Sequence, residues 1–379
     1  MNVYFDNAAT TRVRDEAVDV MVRVMREEYG NPSSVHYAGR YAAAILSGAR
    51  GKVAAALGAD PDEVYFTSGG TESDNWAILS SAEAMRRQGK HIITSAIEHD
   101  AVISPVKRLA GEGWEVTYLQ PDPAGRIPVK DFSEALRGDT VLASIMLVNN
   151  ETGAVNPVYE YSSEIKKRKL NTILHTDAVQ GFCKIPFSAQ ELGAHLVTIS
   201  AHKIHGPKGT GALYIRRGVK LPQLIHGGSQ ESGRRAGTEA LPSIAGFGEA
   251  SGLAAAELNT AAEAVRKLRA HIIERLKREL PETVFIGGGD SPYIISLSIP
   301  GLQSEVLMSY LEGEGICVAR SAACRKGERS RVLEAMGLSG SVLNGALRVS
   351  LSRYSTQEEA EYFVSVLVNA SGRIIGFKR

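Results

Sequence analysis

Between residues 64 and 215 the chain repeats one pattern: a short, nearly continuous apolar run, a few polar or glycine residues, then a segment of helical period. The apolar runs fall at 64–67, 91–96, 116–119, 141–148, 172–174, 196–199 and 211–215. Strands that alternate apolar and polar residues face water on one side. Runs that are apolar throughout are buried on both faces. The pattern therefore predicts an α/β fold: a large domain whose mostly parallel sheet is covered by helices.

The flanks read differently. Residues 1–14 form an extended arm, and helical periodicity begins near Asp15, with Val18, Met21, Val22 and Met25 on one face. The turn-rich string Gly30-Asn-Pro-Ser-Ser-Val-His36 interrupts it before a second helix that runs to Leu57. After about residue 240 the alternation stops. A long helical stretch, 249–280, breaks near its middle, and strand-like segments follow at 284–286, 293–299, 316–319 and 347–351 with helices at 305–312 and 358–368. This predicts a smaller α+β domain. The expected division is 15–255 for the large domain, with 1–14 and 256–379 forming the small one, a size suited to 379 residues.

Charge and cysteine usage exclude several classes. A net charge of +1 gives no basis for nucleic-acid binding, and Lys166-Lys-Arg-Lys169 reads as the solvated end of a helix. No apolar run approaches the ~20 residues of a membrane span, and residues 1–8 are too polar for a secretory leader. Three cysteines without a CxxC pair argue for a reducing compartment, hence a cytoplasmic location, and against disulfide or metal frameworks. Cys183 and Cys317 sit among apolar residues and are expected to be packed.

Five strand ends carry unusual polar residues, and such ends border the ligand crevice of an open parallel sheet. Ser200-Ala-His-Lys203 delivers a lysine to the end of a strand. Desolvation lowers a lysine's pKa and makes its amine a nucleophile for a Schiff base, and pyridoxal phosphate (PLP) is the aldehyde such lysines most often serve. Ser68-Gly-Gly-Thr71 opens a helix whose amides suit a phosphate, with Thr71 as a cap and Asp74 at a capping-box position. His99 follows another strand and can stack on a flat ring or move a proton. Asn150, in Asn149-Asn-Glu-Thr-Gly153, is a ring contact or a turn former. Asp177, in Asp177-Ala-Val-Gln180, is either a helix cap or the carboxylate partner of a protonated pyridine nitrogen, with Gln180 a donor to the ring oxygen. Asp177 and Lys203 are 26 residues apart, one strand–helix–strand step, so both side chains can line one crevice. Cys324 lies in a polar loop beside Arg325 and Lys326, which favour a thiolate. Arg348 is a strand-edge arginine or a bidentate fork for a carboxylate.

Taken together, these strings resemble the cysteine desulfurases of the NifS/IscS type, within the class-V aminotransferase family. The likeness runs from Tyr4-Phe-Asp-Asn-Ala-Ala-Thr-Thr11 to Arg348-Val-Ser-Leu-Ser-Arg353 and includes Arg234-Arg-Ala-Gly-Thr238. It implies a PLP enzyme that converts L-cysteine to L-alanine, leaves a persulfide on Cys324 and passes the sulfur to a protein acceptor, an iron–sulfur scaffold or a thiolation enzyme. It implies Lys203 as the lysine that carries the cofactor, His99 as the stacked, proton-moving residue, and Asp177, Gln180 and Asn150 as contacts to the ring. It further implies Gly70, Thr71, Ser200 and His202 at the phosphate, and Thr238 reaching the neighbouring subunit's phosphate in a homodimer. Arg348, helped by Asn31 or Asn7, is implied at the substrate carboxylate. Selenocysteine lyase, transaminase and a non-catalytic partner-binding scaffold are the rivals. Around Cys324 the string Ala-Arg-Ser-Ala-Ala-Cys departs from the Ser-Gly-Ser-Ala-Cys of many relatives and begins a shorter, more basic loop. That loop implies one dedicated acceptor, or slow turnover without one.

Overall fold

The computed structural model describes residues 1–321 and 329–376. The strands in chain order are β1 (Val3–Tyr4), β2 (Val64–Thr67), β3 (His91–Ser95), β4 (Glu115–Leu119), β5 (Thr140–Ser144), β6 (Ile173–Asp177), β7 (Leu196–Ser200) and β8 (Gly211–Ile215). They continue with β9 (Val284–Ile286), β10 (Ile294–Ser298), β11 (Ile316–Cys317), β12 (Ala319–Arg320) and β13 (Ala346–Ser350). The expected sheet is present, seven strands in the order β2-β8-β7-β6-β5-β3-β4. Neighbours from β7 through to β4 run parallel, and β8 alone is reversed, antiparallel to both β2 and β7.

Helices cover this sheet. Helix α1 (Asp15–Glu27) and helix α2 (Tyr37–Leu57) pack on the helix Leu241–Ala256. Gly248 permits this approach, since a Cβ there would lie 2.7 Å from Ala49 Cα. Helix α3 (Gly70–Met85) and helix α4 (Asp100–Gly111) pack together, α3 lying against β5, β6, β7 and β8. The long helical stretch does break, but at Glu257, nearer its start than its middle, between Leu241–Ala256 and Leu258–Glu279. A second sheet, β12-β13-β10-β9, is antiparallel throughout. Its apolar residues cluster with Val3 and Phe5 of the arm and with Phe363 and Leu367 of the C-terminal helix.

Two readings need correction. The apolar run 141–148 is a strand only to Ser144. Beyond it regular pairing lapses: Ile145 N and Leu147 N still donate to His175 O and Asp177 O, but Met146 N donates to the buried Glu98 carboxylate, and Asn149 Oδ1 accepts from Glu151 N and Thr152 N in a turn. Its apolar residues stay buried beside β6, with Val148 bridged to Val155, and hydrophobicity alone does not separate such a run from a regular strand. Cys317 is exposed, not packed. It lies on β11, which pairs only with β1, and strand alternation that buries Ile316 turns Cys317 outward. Cys183 is buried as expected, and burial pushes its thiol up to about 12. No helix among the described residues is long and apolar enough to cross a membrane.

Candidate active site

Strands β6 and β7 end side by side, so Asp177 and the turn carrying Lys203 arrive at one place. There they border a cavity of about 380 Å³. The arm of residues 7–14 closes one side by docking on the lysine turn. Thr11 Oγ1 donates to His202 O at 2.9 Å and accepts from His205 N at 2.9 Å, and Arg14 N donates to His205 O. Lys203 Nζ donates to the Ala8 and Ala9 carbonyls, 2.7 Å each. His202 Nδ1 lies 3.1 Å from Thr10 Oγ1, and burial, then the neighbouring lysines, pushes its ring down to about 4.

The cavity brings together most of the residues singled out in the sequence. Gly70 and Thr71 enter from the start of α3, His99 from the start of α4 and Asn150 from the turn after β5. Asp177, Gln180, Ser200, His202 and Lys203 line the sheet side, and Arg348 reaches in from β13. Asn31, Asn7 and Thr238 are not in its lining. Asn31 is exposed and accepts from Ser33 N. Asn7 is buried, with Nδ2 donating to Tyr4 O and Ser350 O, so its amide is committed to the arm. Thr238 is exposed. Cys324 lies outside the described residues.

Burial dominates the electrostatics. Asp177 accepts from Val179 N at 2.8 Å, yet burial holds its carboxyl above the ordinary range, opposed by the His99 and Lys203 charges. Asp74 lies beneath it, and burial followed by the Asp177 charge raises it well above the ordinary value. Two desolvated carboxylates cannot both ionise without a cation between them, so Asp74 keeps its proton and Asp177 is the one a cation would ionise. His175 sits behind the pair with Nδ1 2.8 Å from Ser144 Oγ and Nε2 3.1 Å from Thr198 Oγ1; burial holds it at about 3, so it is neutral.

The capping-box reading of Asp74 is therefore overturned, and with it Thr71 as a cap. The helix starts two residues earlier, with Gly69 as N-cap, and Asp74 lies on the buried face of α3. Glu72 takes the capping contact, accepting from Ser68 N at 2.9 Å. Arg348 is no strand-edge surface residue: it is buried, Nη2 donating to Asp6 Oδ1 at 2.9 Å and Nη1 to Asn150 O at 3.0 Å. Its Nε is buried with no hydrogen-bond partner among the described residues.

Residues 3–363 match the aminotransferase class-V family. The chain is 43% identical over 369 residues to the cysteine desulfurase IscS of Methanosarcina thermophila, covering 96% of this chain and 91% of that one. Among solved structures a NifS-like protein superposes with a TM-score of 0.93 at 40% identity over the whole of both chains. SspA in complex with cysteine superposes with a TM-score of 0.81 at 31% identity, covering 94% of this chain and all of that one. The chain belongs to the class-V aminotransferase family.

Class-V aminotransferases depend on PLP, and the cavity fits that group. Ser200 Oγ is buried with no hydrogen-bond partner among the described residues, the mark of a hydroxyl awaiting an acceptor. Gly70 leaves the start of α3 open, for a Cβ there would lie 2.9 Å from Val179 Cγ2. Helix-start amides with Ser200, Thr71 and His202 suit an anion, while Asp177 suits a pyridinium nitrogen.

The sequence reading also missed residues around the cavity. Glu98, next to His99, is wholly buried, and desolvation pushes it up to about 8 despite contacts from Ser95 Oγ at 2.5 Å and Met146 N at 3.0 Å. Arg331 donates to Ala96 O at 2.6 Å and Glu98 O at 2.5 Å, tying the helix Arg331–Ala335 to the His99 turn. Ser330 Oγ donates to Glu151 Oε2 at 2.5 Å; burial pushes Glu151 up to about 7. These contacts join distant segments, and no local pattern announces them.

Proposed function

We propose that this chain is a cysteine desulfurase acting on L-cysteine. The observation that carries the reading is the meeting of Lys203, Asp177, His99 and Arg348 in one cavity. Lys203 would hold PLP, Asp177 would face its ring nitrogen, and Gln180 and Asn150 would contact the ring. Gly70, Thr71, Ser200 and His202 would take the phosphate. Bound there, PLP supplies an electron sink that acidifies the α-proton of an amino acid.

The chain's own groups divide the remaining work. Arg348 binds the substrate carboxylate, its guanidinium already oriented by Asp6 and Asn150. His99 Nδ1 accepts from Ala101 N at 3.1 Å, so in the neutral ring the proton sits on Nε2. His99 therefore offers a donor to the cavity, and proton removal falls to the Lys203 amine. The Cys324 thiolate attacks the substrate sulfur. A sulfur–sulfur bond forms as the carbon–sulfur bond breaks, the electron pair stays with carbon, and protonation there gives L-alanine. The oxidised sulfur remains as a persulfide on Cys324 until an acceptor thiolate takes its outer atom.

Assembly follows the same reading. Thr238 is exposed, and so are Tyr29, Val35, Tyr37 and Tyr41; both facts support a homodimer in which Thr238 reaches the neighbouring phosphate. Asn31 remains assigned to the substrate side, and Asn7 serves it by holding the arm that borders the cavity. The apolar cluster uniting Val3, Phe5 and residues beyond 264 supports a small domain of 1–14 with 256–379 beside a large domain of 15–255. The acceptor is a single dedicated protein, and the location is cytoplasmic. Cys324→Ser tests the activity: it abolishes alanine formation from L-cysteine in a desulfurase, whereas a transaminase keeps its turnover. A selenocysteine lyase is revealed by selenide release that survives the substitution.

A further inference from the structure

Lys184 is buried at 7% exposure, and its charged neighbours are the cations Lys203 and Arg348. Burial, followed by those two charges, pushes it down to about 7. A methionine of similar shape would avoid that cost, so the amine calls for another explanation. A contact with Gln180 supplies it: Nζ donates to Gln180 Oε1 at 3.0 Å.

With Nζ as the donor, the carbonyl end of the Gln180 amide is the end that faces Lys184. The other end is thereby set. Gln180 Nε2 donates to Ala8 O at 2.9 Å, the same carbonyl that receives Lys203 Nζ at 2.7 Å. The amide nitrogen carries a second N–H, for which no described residue is an acceptor, and Gln180 lines the cavity. A glutamine without such a neighbour could turn its carbonyl inward at little cost and meet a ligand oxygen with the wrong end.

We propose that Lys184 is a positioning residue: it locks the Gln180 amide so that its N–H end faces the oxygen acceptor of the bound cofactor. The inference rests on the PLP reading of the cavity. Lys184 acts through Gln180 and touches neither cofactor nor substrate.

The test measures PLP affinity by spectroscopic titration and the melting temperature of the cofactor-free chain. The variants are Lys184→Met, Lys184→Gln, Gln180→Ala and the Lys184→Met/Gln180→Ala double. Lys184→Met should weaken PLP binding about five- to tenfold, the scale of one hydrogen bond, without lowering the cofactor-free melting temperature. Lys184→Gln, whose amide still donates to Oε1, should stay within about twofold of wild type. In the Gln180→Ala background Lys184→Met should add nothing, because its effect runs through that amide. Unchanged affinity in Lys184→Met would overturn the inference, as would a full loss that persists without Gln180. If Lys184→Met fails to fold, Lys184→Gln decides: a fivefold or larger loss refutes the orientation argument. Wild-type protein that binds no PLP would instead sink the cofactor reading, and this inference with it.

Discussion

Replacing Glu98 by glutamine should remove a pH-dependent penalty that the wild-type fold carries. The carboxyl is wholly buried beside His99 and titrates at about 8, against an ordinary 4.5. Burial is the chief cause; the Ser95 and Met146 contacts act in the opposite direction. Between those two values the folded chain retains a proton that the unfolded chain has released, so stability falls as pH rises. The slope is about 1.4 kcal/mol per pH unit, which amounts to about 3 kcal/mol from pH 5 to pH 7 and about 4 kcal/mol by pH 8. A glutamine has nothing to ionise, and its oxygen still accepts from Ser95 Oγ and Met146 N. Urea unfolding of the cofactor-free chain, followed by fluorescence of the buried Trp76 and Trp114, should show the variant gaining on wild type by about 3 kcal/mol between pH 5 and 7. Glu151 contributes equally to both proteins and cancels in the difference; Asp74 and Asp177 feel the charge of Glu98, but below pH 8 they face a neutral group there in both proteins. Parallel pH profiles would show Glu98 ionised in the native state and refute the reasoning.

Other substitutions probe the cavity itself. Ser200→Ala should stabilise the cofactor-free chain by up to about 1 kcal/mol, since it removes a buried hydroxyl without a partner, and weaken PLP binding; opposite shifts in melting temperature and affinity check both signs. Gly70→Ala places a methyl 2.9 Å from Val179 Cγ2 and should cost about 1–3 kcal/mol of stability, with weaker PLP binding measured by titration. Arg348→Lys loses the planar fork and should raise KM for L-cysteine about tenfold or more while kcat changes less, read from steady-state kinetics.

The strand-end residues were legible in the sequence because a parallel α/β sheet gathers its strand ends at one edge. Once 172–177 and 196–203 were read as neighbouring strands, Asp177 and Lys203 had to meet. The same logic placed Gly70, His99 and Asn150. It failed for Asp74, where a two-residue difference in helix start turned an apparent capping-box residue into a buried carboxyl beside Asp177. It failed for Cys317, whose two-residue strand gives too little alternation to show which face is buried. Lys184 and Glu98 were invisible as functional residues, because their partners, Gln180 and Met146, are fixed by tight turns whose geometry hydrophobic patterning does not encode. The 141–148 run misled for a related reason: Glu98 takes the Met146 N–H and ends the regular strand, and the run remains apolar because it is still buried beside β6.

The most direct test of the central claim is the absorbance spectrum of the purified protein before and after L-cysteine, with alanine and released sulfur assayed in parallel. The account predicts a yellow band that shifts on adding L-cysteine, is lost in Lys203→Ala, and is accompanied by alanine formation. A yellow band without alanine would leave the cofactor in place and contradict the desulfurase reading. No band, even after PLP is added, would contradict the role given to Lys203 and the cavity built around it.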